Sequence, residues 1–557
     1  MLKNRLLFLF LILVTLQISP ANGCTNFLIS KGATKDGSAM ITYAADSHTL
    51  YGELYFWPAA DYPEGAMLDI YEWDTGKFLG KIPQVRHTWQ VSGNMNENQV
   101  AIGETTYGGR KELFTQKEAI IDYGSLIYIA LQRSKSAREA IMVMTDLVKN
   151  YGYASEGESF SICDPNEVWI LEMIGKGEGQ KGAVWVAMRV PDGYISGHAN
   201  QARITRFPLN DPKNCLYASD VISFAREKGW FDGKNNDFSF SDTYAPVTFS
   251  SARFCEARVW AGFNKVNKQM KQYENYALGK VTYDEKKYAT NRMPLWVKPD
   301  SLLSVKDVMN LMRDHYEGTA LDMTKDLGAG PYGSPYRWRP MEWKVDSVSY
   351  VHERAISTQQ TGFSFVAQCR SYLPNPIGGI LWFGLDDTFM TCYMPIYCGI
   401  KQVPNSLKVG DGDMLTWSDN SAFWVFNQVS NLCYSRYNDM IVDLQKVQSQ
   451  LENKFFSFTP VVDQAALTLW NKGDKDLATQ FLTEYSVNQV ESSVKRWREL
   501  GHYLLIKYKD GNVMTEKNGE FKRNESGKLP ETPLHPAYPE WWYRKIIENN
   551  KDHFKAQ

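Results

Sequence analysis

Cys24 is the residue whose position suggests chemistry. Lys3 and Arg5 precede an almost unbroken apolar stretch at residues 6–16, Ser19-Pro20 breaks it, and Ala21 and Gly23 then stand at the −3 and −1 positions of a cut before Cys24. Residues 1–23 therefore read as a secretory signal peptide, and the mature chain would begin with cysteine. A terminal cysteine carries a thiol, ordinarily with a pKa near 8.5, beside an α-amine that titrates at about 7.7 to 8.0. At neutral pH a fraction of that amine is unprotonated and can take the thiol proton, directly or through water. One residue then supplies nucleophile and base, and no histidine is needed. Two plainer readings stand beside this one. Cys24 is a buried or disulfide-bonded cysteine, or it is the acylated cysteine of a lipoprotein, although Ala21-Asn22 fits the usual lipid-attachment signal poorly.

Such a terminus needs a rigid element to hold it. Residues 26–30 and 38–44 alternate as two strands around the turn-forming Lys35-Asp36-Gly37, which predicts a hairpin at the mature N-terminus. A turn centred near Lys35 pairs positions whose numbers add to about 70, so Cys24 is expected opposite Asp46. A carboxylate then lies beside the new terminus; the alternative for Asp46 is a solvated turn residue.

Further along, residues 88–93 and 100–106 read as an extended pair around residues 94–98. Helices are expected at 120–132 and 137–150, the second capped by Ser136. Strands are expected at 160–163, 168–173 and 183–189. Beyond residue 300 the chain suggests a helix at 305–315, strands near 364–369 and 379–383, and one long helical stretch over 422–452. Residues 509–529 read as a loop or hairpin, with Trp541-Trp542-Tyr543 pinning the C-terminus to the body. Strand pairs, then helices, then more strands predict antiparallel sheets covered by helices rather than a doubly wound parallel sheet.

Composition narrows the function classes. The net charge of −2, with no long run of Lys or Arg, argues against nucleic acid as a partner. The eight cysteines form no CxxC pair and the eight histidines no HExxH or HxH cluster, so neither zinc nor a thioredoxin-type redox centre is indicated and no metal site is expected. With seven cysteines besides Cys24, at least one should be unpaired even in an oxidising compartment. Gly328, Gly330 and Gly333 spell GxGxxG, but Pro331 and Pro335 interrupt any helix after them, which makes this a loop. His315, between Asp314 and Glu317, reads as a hydrogen-bonding residue rather than a ligand. No segment after the leader is apolar enough for a stable membrane span. The product is expected to be exported, periplasmic or extracellular, and soluble unless Cys24 is lipidated.

Several linked motifs add a resemblance. Cys24-Thr25-Asn26-Phe27-Leu28, Lys35-Asp36-Gly37-Ser38 and Asp46-Ser47 resemble the start of the peptidase family C69 dipeptidases, members of the N-terminal-nucleophile superfamily alongside choloylglycine hydrolases and penicillin V acylases. The segment from Asn96 through Gly103-Glu104-Thr105-Thr106, then Gly197-His198-Ala199-Asn200, Ala257-Arg258-Val259-Trp260, Arg313-Asp314-His315 and Pro395-Ile396-Tyr397 are similar to that family in the same order.

The resemblance implies an α+β fold, a four-layer αββα N-terminal-nucleophile sandwich over residues 24–450, with residues 451–557 as a C-terminal helical extension packed on the body. It implies a cysteine dipeptidase acting on short peptides through an acyl-enzyme, without a cofactor. Cys24 is then the nucleophile, and Asp46 resembles the acid that hydrogen-bonds the terminus. Asn200 resembles an oxyanion-hole donor, the alternative being an Asx-turn residue. Thr105 lies where the acylases carry a second oxyanion asparagine, so a backbone N–H would take that part. Arg258 resembles the arginine that supports the nucleophile's network, with Arg253 close enough to compete for that alignment. Many relatives carry Arg-Asn shortly before the aspartate; here the sequence is Thr42-Tyr43-Ala44-Ala45-Asp46. A non-peptide amide hydrolase, acting on bile-acid or acyl-amino-acid conjugates, is the rival within the same superfamily. A lipid-anchored binding protein is the rival outside it. Oligomeric state is not legible.

Overall fold

The computed structural model describes residues 23–556; the apolar stretch at 6–16 lies outside them. Two antiparallel sheets form the centre of an α+β molecule. The strands that matter below are β1 (Asn26–Ile29), β2 (Ala39–Asp46), β3 (Ala101–Gly108), β4 (Gly157–Cys163), β5 (Val168–Gly175), β6 (Ala183–Arg189), β7 (Ile195–His198), β8 (Thr361–Cys369), β9 (Gly379–Leu385) and β10 (Met394–Tyr397). One sheet has seven strands, running from the edge strand Trp296–Val297 through β7, β1, β2, β8 and β9 to β10. The other has eight, from Cys215–Tyr217 through β6, β5, β4 and β3 to three two-residue strands.

The sheets face each other, with β1 and β2 over β3, β4 and β5. Helices α1 (Tyr123–Arg133) and α2 (Ala137–Tyr151) cover the outer face of the eight-stranded sheet. Their apolar stripes explain this placement: Leu126 and Ile141 pack with Ile102, Ile162 and Leu171 in a core of their own. Ser136 caps α2 by accepting the Glu139 N–H, so that boundary agrees with the sequence. Helix α3 (Ala257–Val266) lies against β1, entered through a π-helical turn at Ser251–Glu256 that the sequence did not suggest.

On the far side, α4 (Ala422–Ser435), α5 (Tyr437–Asn471) and α6 (Lys475–Lys507) pack together and onto β9 and β10. The single helical stretch expected at 422–452 is therefore two helices, separated at Arg436, whose backbone leaves the helical region at φ −151°. Helix α5 runs unbroken through residue 450. Residues 509–529 contain the hairpin Glu516–Lys517 with Glu520–Phe521, turning on Asn518 and Gly519, both at positive φ. Trp541 and Tyr543 stay 44% and 42% exposed, Trp542 and Ile546 are half-buried, and Trp541 lines a cavity together with Leu327, Pro331 and Asn438 of the body. Among the described residues, no helix is long and apolar enough to cross a membrane.

Candidate active site

The hairpin forms, one residue away from the expected register. Thr25 faces Ala44 and Leu28 faces Ile41, which puts Cys24 across from Ala45, while the Gly23 N–H donates to the Asp46 carbonyl at 3.1 Å. A short 3-10 turn at Lys31–Ala33 sits between the strands and shifts the centre of symmetry. Asp46 is still next to the nucleophile candidate, because its backbone N–H points at the Cys24 sulfur.

The Cys24 thiol lies in the wall of a cavity of about 350 Å³. Its Sγ is 3.8 Å from the Tyr43 hydroxyl and 3.6 Å from Glu104 Oε1. Burial, followed by the charges of Glu104 and Asp46, pushes the thiol pKa well up. The sulfur is therefore a thiol at neutral pH, and its proton has to leave as it reacts.

Arg258 holds this residue from behind. Fully buried on α3, it donates to the Cys24 carbonyl at 2.6 Å, the Gly23 carbonyl at 3.2 Å, Thr25 Oγ1 at 2.8 Å and Asn200 Oδ1 at 2.7 Å. Its depth depends on Gly262, one helical turn further on, where an added Cβ would overlap the Phe27 ring of β1. Arg253 is elsewhere, paired with Glu353 at 2.5 Å. Asn200 adopts the left-handed conformation (φ 64°), and its Nδ2 donates to the Thr106 carbonyl at 2.6 Å.

Asp46 is buried and accepts from Thr361 at 2.7 Å and Arg354 at 3.3 Å. Burial pushes its carboxyl up to about 6 against the opposing effect of Arg354 and Thr361. No arginine precedes Asp46 in β2; the guanidinium that reaches it comes from position 354. The same guanidinium donates to the Gly23 carbonyl and fills the space that any side chain at residue 23 would need. Burial, then repulsion from Arg258, lowers the Arg354 pKa to about 9.

Thr105 stands apart from this group. Strand alternation turns it to the opposite face from Glu104 and Thr106, and its hydroxyl pairs with His198 Nδ1 at 2.7 Å between the sheets. His198 bonds Ser161 through its other nitrogen, and burial holds its pKa down to about 3, so it is neutral and engaged on both sides. His315 is likewise a buried hydrogen-bonding residue, between Glu317 and Tyr336.

Residues the sequence reading passed over complete the site. Tyr43 donates to Glu104 Oε1 at 2.5 Å, and Glu158, which accepts from Thr106 at 2.6 Å, hydrogen-bonds Glu104 in turn. Two adjacent buried carboxyls cannot both ionise cheaply. Burial raises Glu104 to about 7, and burial plus the Glu104 charge raises Glu158 well above the usual range, so the two carboxyls favour holding a proton between them. The available sequence signal was Gly103-Glu104 within a strand next to the hairpin.

Comparison with known proteins fits this geometry. A family model described as Peptidase family C69 matches residues 23–450. A probable dipeptidase of Latilactobacillus sakei is 23% identical over 500 residues, which is 83% of this chain and 95% of that protein. A probable dipeptidase of Salmonella dublin is 24% identical over 397 residues, 68% of this chain and 81% of its own. Probable dipeptidase A of Streptococcus pyogenes serotype M3 (strain SSI-1) is 23% identical over 528 residues, 89% of this chain and 98% of its own. With a buried arginine clamping a cysteine at the head of a hairpin, and a family match across most of the chain, this protein belongs to peptidase family C69.

Proposed function

We propose that this protein is an exported cysteine-type dipeptidase in which Cys24, once it is the first residue, is nucleophile and base together. The observation that carries this reading is the clamp on Cys24: Arg258 holds its carbonyl at 2.6 Å while the sulfur faces the cavity. Because the thiol pKa is raised, a base must act during attack, and the α-amine released by loss of Gly23 is within the same residue.

The steps then balance. Sulfur attacks the peptide carbonyl as the α-amine takes the thiol proton. The tetrahedral intermediate collapses, the C–N bond breaks, and the α-ammonium returns that proton to the leaving amine. Water attacks the thioester, giving one proton to the α-amine, and the thiol is restored as the acid leaves. Asp46 orients the terminal amine. Asn200, oriented by Arg258 and by the Thr106 carbonyl, is assigned to the oxyanion, and Thr105 contributes no side chain. Helices on both outer faces of two stacked sheets support reading the core as a four-layer αββα N-terminal-nucleophile sandwich. The dipeptide substrate follows from the names of the relatives.

The test is N-terminal sequencing of secreted active material combined with a panel of dipeptides and acyl-amides. The expected result is cysteine at the first cycle and dipeptide cleavage that Cys24→Ala abolishes. Active enzyme retaining a residue ahead of Cys24, a fatty chain on that residue, or activity confined to acyl-amides overturns the proposal.

A further inference from the structure

The cavity in front of Cys24 carries charge of one sign. Asp46, Glu53, Asp74 and Glu104 line it, and among the described residues its lining includes no lysine, arginine or histidine. Asp411 and Asp413 lie close enough to Glu53 to add to its negative field. The cations nearest the site, Arg354, Arg258 and Arg339, all act on Asp46, at the hairpin end, and Arg258 lies behind Cys24 on its carbonyl side. A zwitterionic peptide entering this field is oriented by it: its amine is drawn into the cavity and its carboxylate is kept toward the arginines.

The rest of the lining suits a cation with an apolar stem. Tyr55, Trp73 and Tyr128 form one contiguous aromatic wall, with ring centroids 5.0 Å apart for Tyr55–Trp73 and 4.6 Å for Trp73–Tyr128. Next to it, Asp74 accepts from the Tyr123 hydroxyl at 2.8 Å and is exposed toward solvent. Aromatic faces beside carboxylates favour an ammonium or guanidinium over a neutral group of the same size. Distance along the substrate agrees. The α-ammonium is two bonds from the scissile carbonyl carbon, so a carbonyl in position for attack keeps it within reach of Glu104, whose Oε1 is 3.6 Å from the sulfur. The side chain of the same residue then extends toward Asp74 and the aromatic wall.

We propose that this site selects dipeptides whose first residue is basic, lysyl or arginyl. The α-ammonium sits by Glu104, and the side-chain cation lies between Asp74, Glu53 and the aromatic wall. The inference rests on the dipeptidase reading above and deepens it.

The experiment compares kcat/KM of the mature enzyme for Lys-Ala, Arg-Ala, norleucyl-Ala and Glu-Ala, norleucine matching lysine in length without its charge. The expected preference for lysyl over norleucyl is about tenfold, carried by KM and shrinking at high salt. Glu-Ala should be the poorest substrate. Asp74→Asn, at an exposed position where folding is not at risk, should narrow the lysyl advantage several-fold by raising KM for Lys-Ala. Equal or better cleavage of norleucyl-Ala overturns the charge selection while leaving the dipeptidase reading intact. Cleavage of none of these dipeptides by enzyme that hydrolyses acyl-amides overturns both.

Discussion

Cys24 Sγ and Glu104 Oε1 stand 3.6 Å apart, a thiol against a carboxylate. A negative charge at that distance opposes thiolate formation, and it is the largest influence on the sulfur after burial. Glu104→Gln should therefore lower the thiol pKa. Alkylation of the mature enzyme by iodoacetamide as a function of pH reads this directly. An unchanged alkylation midpoint would show that the carboxylate does not act on the sulfur.

The same carboxylate makes stability depend on pH. Its pKa is raised in the folded protein, from 4.5 to about 7, so its favourable contribution is fully present below about pH 4 and is lost as pH rises through 7. A difference of that size corresponds to about 3 kcal/mol. Between pH 5 and 8 the wild type should lose thermal stability, and Glu104→Gln should flatten that loss. Melting curves at the two pH values check the sign.

Arg258 is fully buried, and its hydrogen bonds lie on several sides of one planar group. A lysine would keep the charge without the fork. Arg258→Lys should lower kcat at least about 100-fold, and Arg258→Met should in addition cost about 3 kcal/mol of stability, since the carbonyls of Cys24 and Ala199 lose their donor. Activity and melting temperature of the two variants separate charge from geometry.

The Sγ atoms of Cys163 on β4 and Cys369 on β8 lie 3.6 Å apart between the two sheets. They are the pair placed to close on oxidation. Peptide mapping of material recovered from an oxidising compartment should find Cys163 linked to Cys369, and Cys163→Ala should remove that link without blocking alkylation of Cys24.

Local signals made much of the fold legible. Ser136 and the apolar stripe after it marked α2 to within a residue at each end, and the alternation around Lys35-Asp36-Gly37 marked the first hairpin. What stayed hidden depends on contacts between distant residues. The Asp46–Arg354 pair spans 308 positions, and nothing local announces that a guanidinium absent from β2 arrives from there. Glu104 and Glu158 are 54 residues apart, in ordinary strand sequences, and only the pairing of β3 with β4 makes them one acid pair. The partner of the Thr105 side chain was hidden for a simpler reason: motif alignment does not say which face of a strand a residue takes, and one step along the strand decides it.

The path of α5 also governs how the protein can be shortened. Beyond position 450, Glu452 accepts from Arg313, and Asp463 pairs with Arg370 and accepts from Tyr397 at 2.7 Å. Both arginines are buried in the part of the chain that the family match covers. A truncation at 450 would leave two interior cations without their counter-ions, each costing about 3–5 kcal/mol. Such a fragment should be recovered as aggregate, whereas a stop after α6, at residue 515, should yield folded, active protein; the C-terminal helices are an inseparable wall of the catalytic body.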